Sequence, residues 1–390
     1  MSTTNFAVFA PLFPPAVLGG GPIRTLKALV DSVPRNTRAI VFTSDRDMHQ
    51  STPLPVERNA WIQNDGVKVY YSTPTSIRLF FQGLQAVRDE RPDVVYYNSF
   101  FNSRFSIFPQ VLGTLGFWRG AGVLLAPRGE FGKGALAIRP SKKRLYLAIY
   151  RAMGLHRRIV WHASSANEER DIRAIFGAKA RVLIREDETA LPLAARKPGF
   201  TRAEGPLRIL FVSRLNPMKG LDVLLRSLQL ASSPIVLDIY GNSEDKDYVR
   251  LCDDLIGELP ANVICRMNGA ISPNSVRDIF EEGDVFVFPT AGENFGHVIA
   301  EALSVSCPVI CSDHTPWSDV LEMAGGDVIQ GRDPLDWGAA IQSFAGLSDH
   351  QMLGRRQAAG DAYDIWRAND KGAHVFDQLV DKSLDESMSS

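Results

Sequence analysis

The residues best suited to chemistry in this chain are cations and carboxylates placed where apolar runs end. Arg214 and Lys219 lie in Ser213-Arg214-Leu215-Asn216-Pro217-Met218-Lys219-Gly220, after the apolar run 209–212 and before the amphipathic stretch 221–230. Two cations at a strand-to-helix turn suit a diphosphate: the Arg fork grips two oxygens, Lys adds a point charge, and a helix N-terminus adds partial positive charge. Two solvated surface cations would leave the same spacing. A second turn follows the run 284–289 and carries Glu293, with Glu301 two turns further along a predicted helix. A carboxylate only accepts hydrogen bonds, so it fits a hydroxyl-rich ligand such as a hexose or a ribose. Gly292 and Gly296 permit a tight turn whose backbone N–H groups face a ligand.

Asn98 follows the run 94–97, and Arg128-Gly129-Glu130 follows the run 123–126. The second of these positions points toward a substrate cleft, the alternative being a simple turn with a salt bridge. His162 reads as a satisfied core or strand-end histidine. His297 and Glu301 are spaced i, i+4, but no second histidine completes a zinc motif, and the four cysteines match neither a metal site nor a disulfide framework. No metal site and no cofactor are expected.

These residues need elements to hold them. The first half alternates short apolar runs (6–10, 39–43, 94–97, 123–126, 159–163) with amphipathic stretches (23–32, 76–89), the rhythm of a βαβ sheet. Residues 186–206 lack apolar periodicity and read as a linker. Runs at 207–212, 235–240, 263–265, 284–289 and 308–312 then punctuate helical patterns again. The expected architecture is α/β, with two doubly wound Rossmann-like domains facing a central cleft, one over 1–190 and one over 205–365. Ligands of such sheets bind beyond the carboxyl ends of the strands, where the turns above fall. The tail 352–380 is helical in pattern, with Trp366 and Phe376 as anchors.

The chain has 390 residues and a net charge of −1, which conceals an asymmetry: residues 1–200 carry 28 Lys+Arg against 15 Asp+Glu, and residues 201–390 carry 15 against 29. The first half therefore expects an anionic partner. Its segment 133–158 has eight Lys+Arg, no acidic residue, and apolar residues at helical spacing; an anionic membrane surface or a polyprenyl-diphosphate would fit, as would a solvated helix face. No signal peptide or spanning helix is expected, and the free cysteines suit a reducing cytosol.

SRLNPMKG, followed by Glu293 and Glu301 inside PTAGENFGHVIAEAL, resembles the donor site of family 4 glycosyltransferases of the GT-B fold, which are retaining and metal-independent. The loop Gly19-Gly20-Gly21-Pro22-Ile23-Arg24, the triplet Ile239-Tyr240-Gly241 and Ser312-Asp313-His314-Thr315-Pro316-Trp317 are similar to that family too. The resemblance implies that Arg214 and Lys219 hold the donor diphosphate and that Glu293 binds the transferred sugar beside the Asn294, Phe295 and Gly296 backbone. It further implies that Glu301 holds the ribose and that Gly20 and Gly21 close over the sugar and phosphates. A C-terminal helix over 366–382 would cross back onto the first domain. By the same resemblance the product is a cell-surface glycan or glycolipid on a glycan or polyprenyl-linked acceptor. A sucrose-synthase-like transferase and a degenerate sugar-nucleotide-binding scaffold are the alternatives. Many relatives place a histidine where Asn98 stands, and Ile184-Arg185-Glu186-Asp187 replaces a Pro-Asn-Gly turn. Asn98, Arg128 and Glu130 are the candidate acceptor-binding residues.

Overall fold

The computed structural model describes residues 3–137, 139–199, 205–243, 245–323, 325–369 and 372–380. They form two compact units, one from the described parts of Met1–Ala190 and Lys371–Ser390, the other from those of Leu191–Asp370.

The first unit holds β1 (Thr4–Phe9), β2 (Thr37–Ser44), β3 (Trp61–Asn64), β4 (Val67–Ser72), β5 (Val94–Tyr97), β6 (Gly122–Leu125), β7 (Ile159–Ala163) and β8 (Arg181–Ile184). They pair in the order β3-β4-β2-β1-β5-β6-β7-β8, parallel except for the β3–β4 hairpin. β1, β4, β5 and β7 are mostly buried, as a parallel sheet covered on both faces requires. One face packs Phe9, Phe42, Tyr97, Phe100 and Trp161 together; the other packs Phe6, Val41 and Tyr96 with Phe376. Phe376 lies in the helical stretch 375–380 and stacks on Phe6 with ring centroids 3.9 Å apart.

The second unit holds β9 (Leu207–Val212), β10 (Ile235–Tyr240), β11 (Val263–Gly269), β12 (Val285–Phe288), β13 (Val309–Ser312) and β14 (Asp327–Ile329), all parallel in the order β11-β10-β9-β12-β13-β14. β9 and β12 are adjacent at the centre, which brings the turns after them side by side.

Two expectations change. The stretch 186–206 is not a bare linker: Asp187 and Glu188 are ion-paired within the first unit. Ala195 N donates to Asp364 Oδ1 at 2.6 Å, Arg196 N donates to Ser304 O at 2.8 Å, and Leu191 and Ala195 pack on the second core. Residues 200–204 lie outside the described ones. Trp366 lies in the last turn of the helix Asp349–Ala368 of the second unit and packs on Trp317, ring centroids 4.7 Å apart. Of the helix expected over 366–382, residues 370–371 and 381–382 fall outside the described residues.

Candidate functional site

In the second unit the segment between β9 and the helix Leu221–Leu228 is shaped by backbone contacts. Ser213 N donates to Tyr240 O at 3.0 Å and Leu215 N to Asn242 O at 2.9 Å, tying the turn to the end of β10. Asn216 Oδ1 accepts from Met218 N at 3.1 Å, a local turn bond that Asn favours. Gly220 then caps the helix with φ 78°, and a Cβ there would meet Pro289 O at 2.1 Å. Glycine thus lets this turn lie directly against the end of β12.

That approach aligns the two turns. Ala291 N donates to Met218 O at 2.7 Å and Thr290 Oγ1 to the same oxygen at 3.1 Å. Glu293, its backbone N–H donating to His314 O at 3.0 Å, forms an ion pair with Lys219. Their side chains are 14% and 16% exposed, so the pair lies at the rim of solvent rather than in the core. Arg214 is exposed on the same turn as Lys219. Gly296, φ 82°, starts the helix His297–Leu303; Trp317 Nε1 donates to Phe295 O at 2.5 Å and holds that corner. Phe295 and Glu301 are buried, Asn294 is half-buried. Lys219 and Glu293 are brought together; Glu301 is enclosed on the inner side of its helix.

In the first unit, the Gly19–Gly21 loop follows β1. Gly20, φ 65°, caps the helix Gly21–Asp31, and a side chain on Gly19 would collide with Leu12 and Ile23. Asp47, which the motifs did not signal, accepts from Val17 N at 2.8 Å and Leu18 N at 3.2 Å and so anchors this loop from β2's side of the sheet.

Asn98, Arg128 and Glu130 are brought to neighbouring strand ends but engage inward. Arg128, φ 53°, donates from Nε to Asn98 Oδ1 at 2.7 Å and from Nη2 to Tyr96 Oη at 2.8 Å, and it ion-pairs with Asp187. Glu130 accepts from Ser99 Oγ at 2.8 Å, Phe100 N at 2.6 Å and Phe101 N at 2.9 Å. The salt bridge at this turn therefore runs to Asp187, not between Arg128 and Glu130. Tyr96 Oη lies 3.0 Å from His162 Nδ1, and His162 Nε2 lies 3.1 Å from Arg185 O.

Burial dominates the electrostatics of this cluster. It would weaken Arg128's hold on its proton, but Asp187, then Tyr96 and Glu168, reverse that and hold the guanidinium charged. Burial pushes the Asp187 carboxyl up to about 6 against the pull of Arg128. Burial, then Arg128's charge, holds His162 well below its ordinary range, so the ring is neutral. Burial also raises Glu130, which its three donors oppose. Sequence reasoning missed Asp187 as Arg128's partner; across 59 residues no local signal connects them.

The sequence of residues 195–356 matches the family described as glycosyl transferases group 1. A D-inositol 3-phosphate glycosyltransferase of Geodermatophilus obscurus is 28% identical over 184 residues, 45% of this chain and 40% of that protein. The chain spans 34–42% of the length of the first curated relatives it matches. Among solved structures, Anabaena Alr3699/HepE in complex with UDP and glucose superposes with TM-score 0.69 at 15% identity over 100% of both chains. Sucrose-phosphate synthase from Thermosynechococcus elongatus does so with TM-score 0.66 at 15% identity over 97% of this chain and 100% of that one. At those identities the likeness is one of fold, and the fold is GT-B. The likeness in sequence to the group 1 glycosyl transferases covers residues 195–356, less than half of the chain.

Proposed function

We propose that this protein is a retaining, metal-independent glycosyltransferase. It moves a hexose from a UDP- or GDP-sugar to a glycan or lipid-linked acceptor in the synthesis of a cell-surface polysaccharide or glycolipid. The observation that carries the reading is the pairing of Lys219 with Glu293 at the carboxyl ends of the two central strands β9 and β12, beside exposed Arg214. Such a site offers two cations to a diphosphate and a carboxylate to sugar hydroxyls from one rigid edge. The likeness in fold to a protein solved with UDP and glucose supports a nucleotide-sugar donor.

In the proposed reaction the bond from the anomeric carbon to the diphosphate oxygen breaks, and the acceptor oxygen bonds to that carbon on the same face. The acceptor proton passes to the departing phosphate. Arg214 and Lys219 offset the charge that grows there, an electrostatic role that requires no cofactor. Glu293 and the Asn294–Gly296 backbone position the sugar, and Glu301 the ribose. The relatives named for D-inositol 3-phosphate make a phosphorylated polyol the first soluble acceptor to try.

Among the described residues no helix is long and apolar enough to cross a membrane. A peripheral position at the inner face of an anionic membrane is proposed from the helix Pro140–Ala152. That helix and its C-cap residue leave Leu145 64%, Ile149 49% and Met153 56% exposed, four residues apart, among Lys142, Arg144 and Arg151.

Thermal shift in EDTA with UDP-glucose and GDP-mannose, on wild type, Lys219→Ala and Glu301→Ala, tests the donor site. One donor stabilises the wild type and stabilises both variants less, since a ligand of the native state raises apparent stability. No response to either sugar nucleotide would overturn the reading.

A further inference from the structure

The first unit has a cavity at the end of its sheet opposite the strand-end turns described above. About 820 Å³ of space opens at the amino ends of β1, β5, β6, β7 and β8, which are neighbours in the sheet. Its apolar lining comes from Val94, Val123, Val160 and Val182, each the first or second residue of its strand, and from Leu379 and Val380 of the helical stretch 375–380. Val123, Val160 and Val182 are only half-buried, so the cavity leaves to water a part of the sheet that a covering layer would hide. Its charge is uneven: Arg158, Arg173 and Arg181 line it against one carboxylate, Asp93. Asp93 Oδ2 already accepts from Asn5 N at 2.8 Å. Arg173 is fixed in place, donating from Nε to Glu169 Oε1 at 2.8 Å and from Nη1 to Ala180 O at 3.0 Å. Arg158, the residue before β7, is exposed, and among the described residues its side chain makes no hydrogen bond or ion pair.

We propose that this cavity binds an amphiphilic organic anion: an alkyl or aryl body that covers the valines, carrying a phosphate, sulfonate or carboxylate that Arg158 grips. The volume is that of a small-molecule site. A bare inorganic anion would leave the valines wet, and a neutral hydrocarbon would take water from the arginines without giving them a counter-charge. A planar guanidinium meets an oxyanion through two parallel N–H bonds, so Arg158 supplies the directional part of the contact and the valines the non-directional part. The site shares no residue with the donor site proposed in the second unit and does not rest on the glycosyltransferase reading. Because Leu379 and Val380 form part of the wall, an occupant holds the helical stretch 375–380 against the sheet.

Fluorescence titration of the full chain with 1-anilinonaphthalene-8-sulfonate, an aryl body bearing one sulfonate, tests the site. The probe binds saturably, and dodecyl phosphate below its micellar concentration displaces it, whereas inorganic phosphate at the same concentration does not. Arg158→Ala weakens binding at least about tenfold and Arg158→Glu abolishes it, while both variants keep the wild-type thermal midpoint. Leu145→Glu with Ile149→Glu binds the probe as the wild type does, which separates the cavity from the exposed stripe of the helix Pro140–Ala152. Backbone amide exchange over 375–380, followed by mass spectrometry, slows when the probe is bound. Absence of saturable binding, equal affinity in the wild type and Arg158→Glu, displacement by inorganic phosphate alone, or unchanged exchange over 375–380 would each overturn the proposal.

Discussion

Lys219 and Glu293 form an ion pair, which sets what each would do in the proposed donor site. In the proposed donor site a diphosphate would have to share Lys219 with Glu293, so the carboxylate would oppose binding of the nucleotide while favouring the sugar hydroxyls. Glu293→Gln is therefore expected to bind UDP or GDP more tightly, by up to about fivefold, roughly the ~1 kcal/mol of a partly exposed pair. The same variant should lose turnover, and titration calorimetry beside a nucleotide-release assay reads the split; weaker nucleotide binding would show that the pair does not compete with phosphate. In the proposed reaction Lys219→Ala removes a preorganised charge from beside the leaving group, and about 2.7–4 kcal/mol of transition-state stabilisation, 10²–10³ in kcat, is the expected loss. Its stability should change little, because the ion pair sits at the solvent rim. The local half of this site was legible: Arg214, Lys219, Glu293 and Gly296 stand at strand ends that the apolar runs announce. That Lys219 touches Glu293, 74 positions away, depends on strand order, which periodicity does not encode.

At the scale of elements, buried strands declared themselves as unbroken apolar runs: β5, β7, β9 and β10 have the bounds the runs suggested. The β3–β4 hairpin escaped because its first strand is half exposed, although Asn64-Asp65-Gly66, with φ 47° at Asp65 and 82° at Gly66, is a hairpin turn signal. β14 escaped for being three half-buried residues. The close approach at Gly220 was readable only as a permissive turn. Gly220→Ala would force Cβ onto Pro289 O in a left-handed backbone, at a cost of about 1–3 kcal/mol from strain alone, and urea unfolding should show at least that loss. The strand-end cluster of the first unit predicts a pH dependence. Burial, above all, holds His162 and His374 below the ordinary imidazole value of about 6.5. The unfolded chain binds protons there that the folded one refuses, so their contribution is complete above about 6.5 and declines as pH falls toward the folded values. Asp187, raised to about 6, acts oppositely, its contribution lost as pH rises from 3.8 through 6. Comparing His162→Gln with wild type by urea unfolding between pH 5 and 7 isolates the histidine. The variant's stability should fall less steeply on acidification, by up to about 1.4 kcal/mol per pH unit, and an unchanged slope would mean that His162 titrates normally.

For the molecule as a whole, the near-zero net charge hides two chemically different halves, and the excess of cations in residues 1–200 gathers partly on one helix. On Pro140–Ala152 the cations do not all serve the same end. Lys143 turns inward, donating to Ala135 O at 2.7 Å and lying 4.8 Å from the Phe101 ring, whereas Lys142, Arg144 and Arg151 stay with solvent around the apolar stripe. Exposed Leu145, Ile149 and Met153 would be a liability on a surface that meets only water, but they suit an interface where apolar residues enter the acyl boundary and cations meet anionic headgroups. The two contributions can be separated because only the second is screened by salt. Vesicles containing phosphatidylglycerol should co-float the wild-type protein at low ionic strength, and neutral phosphatidylcholine vesicles should not. Each cation near the surface contributes about 1 kcal/mol, so Lys142→Ala with Arg144→Ala should weaken binding by more than tenfold and flatten its salt dependence. Leu145→Glu with Ile149→Glu should abolish flotation at every salt concentration while leaving nucleotide-sugar turnover on a soluble acceptor intact. Equal flotation of these variants and the wild type would assign the stripe to another purpose and detach the basic half from the membrane.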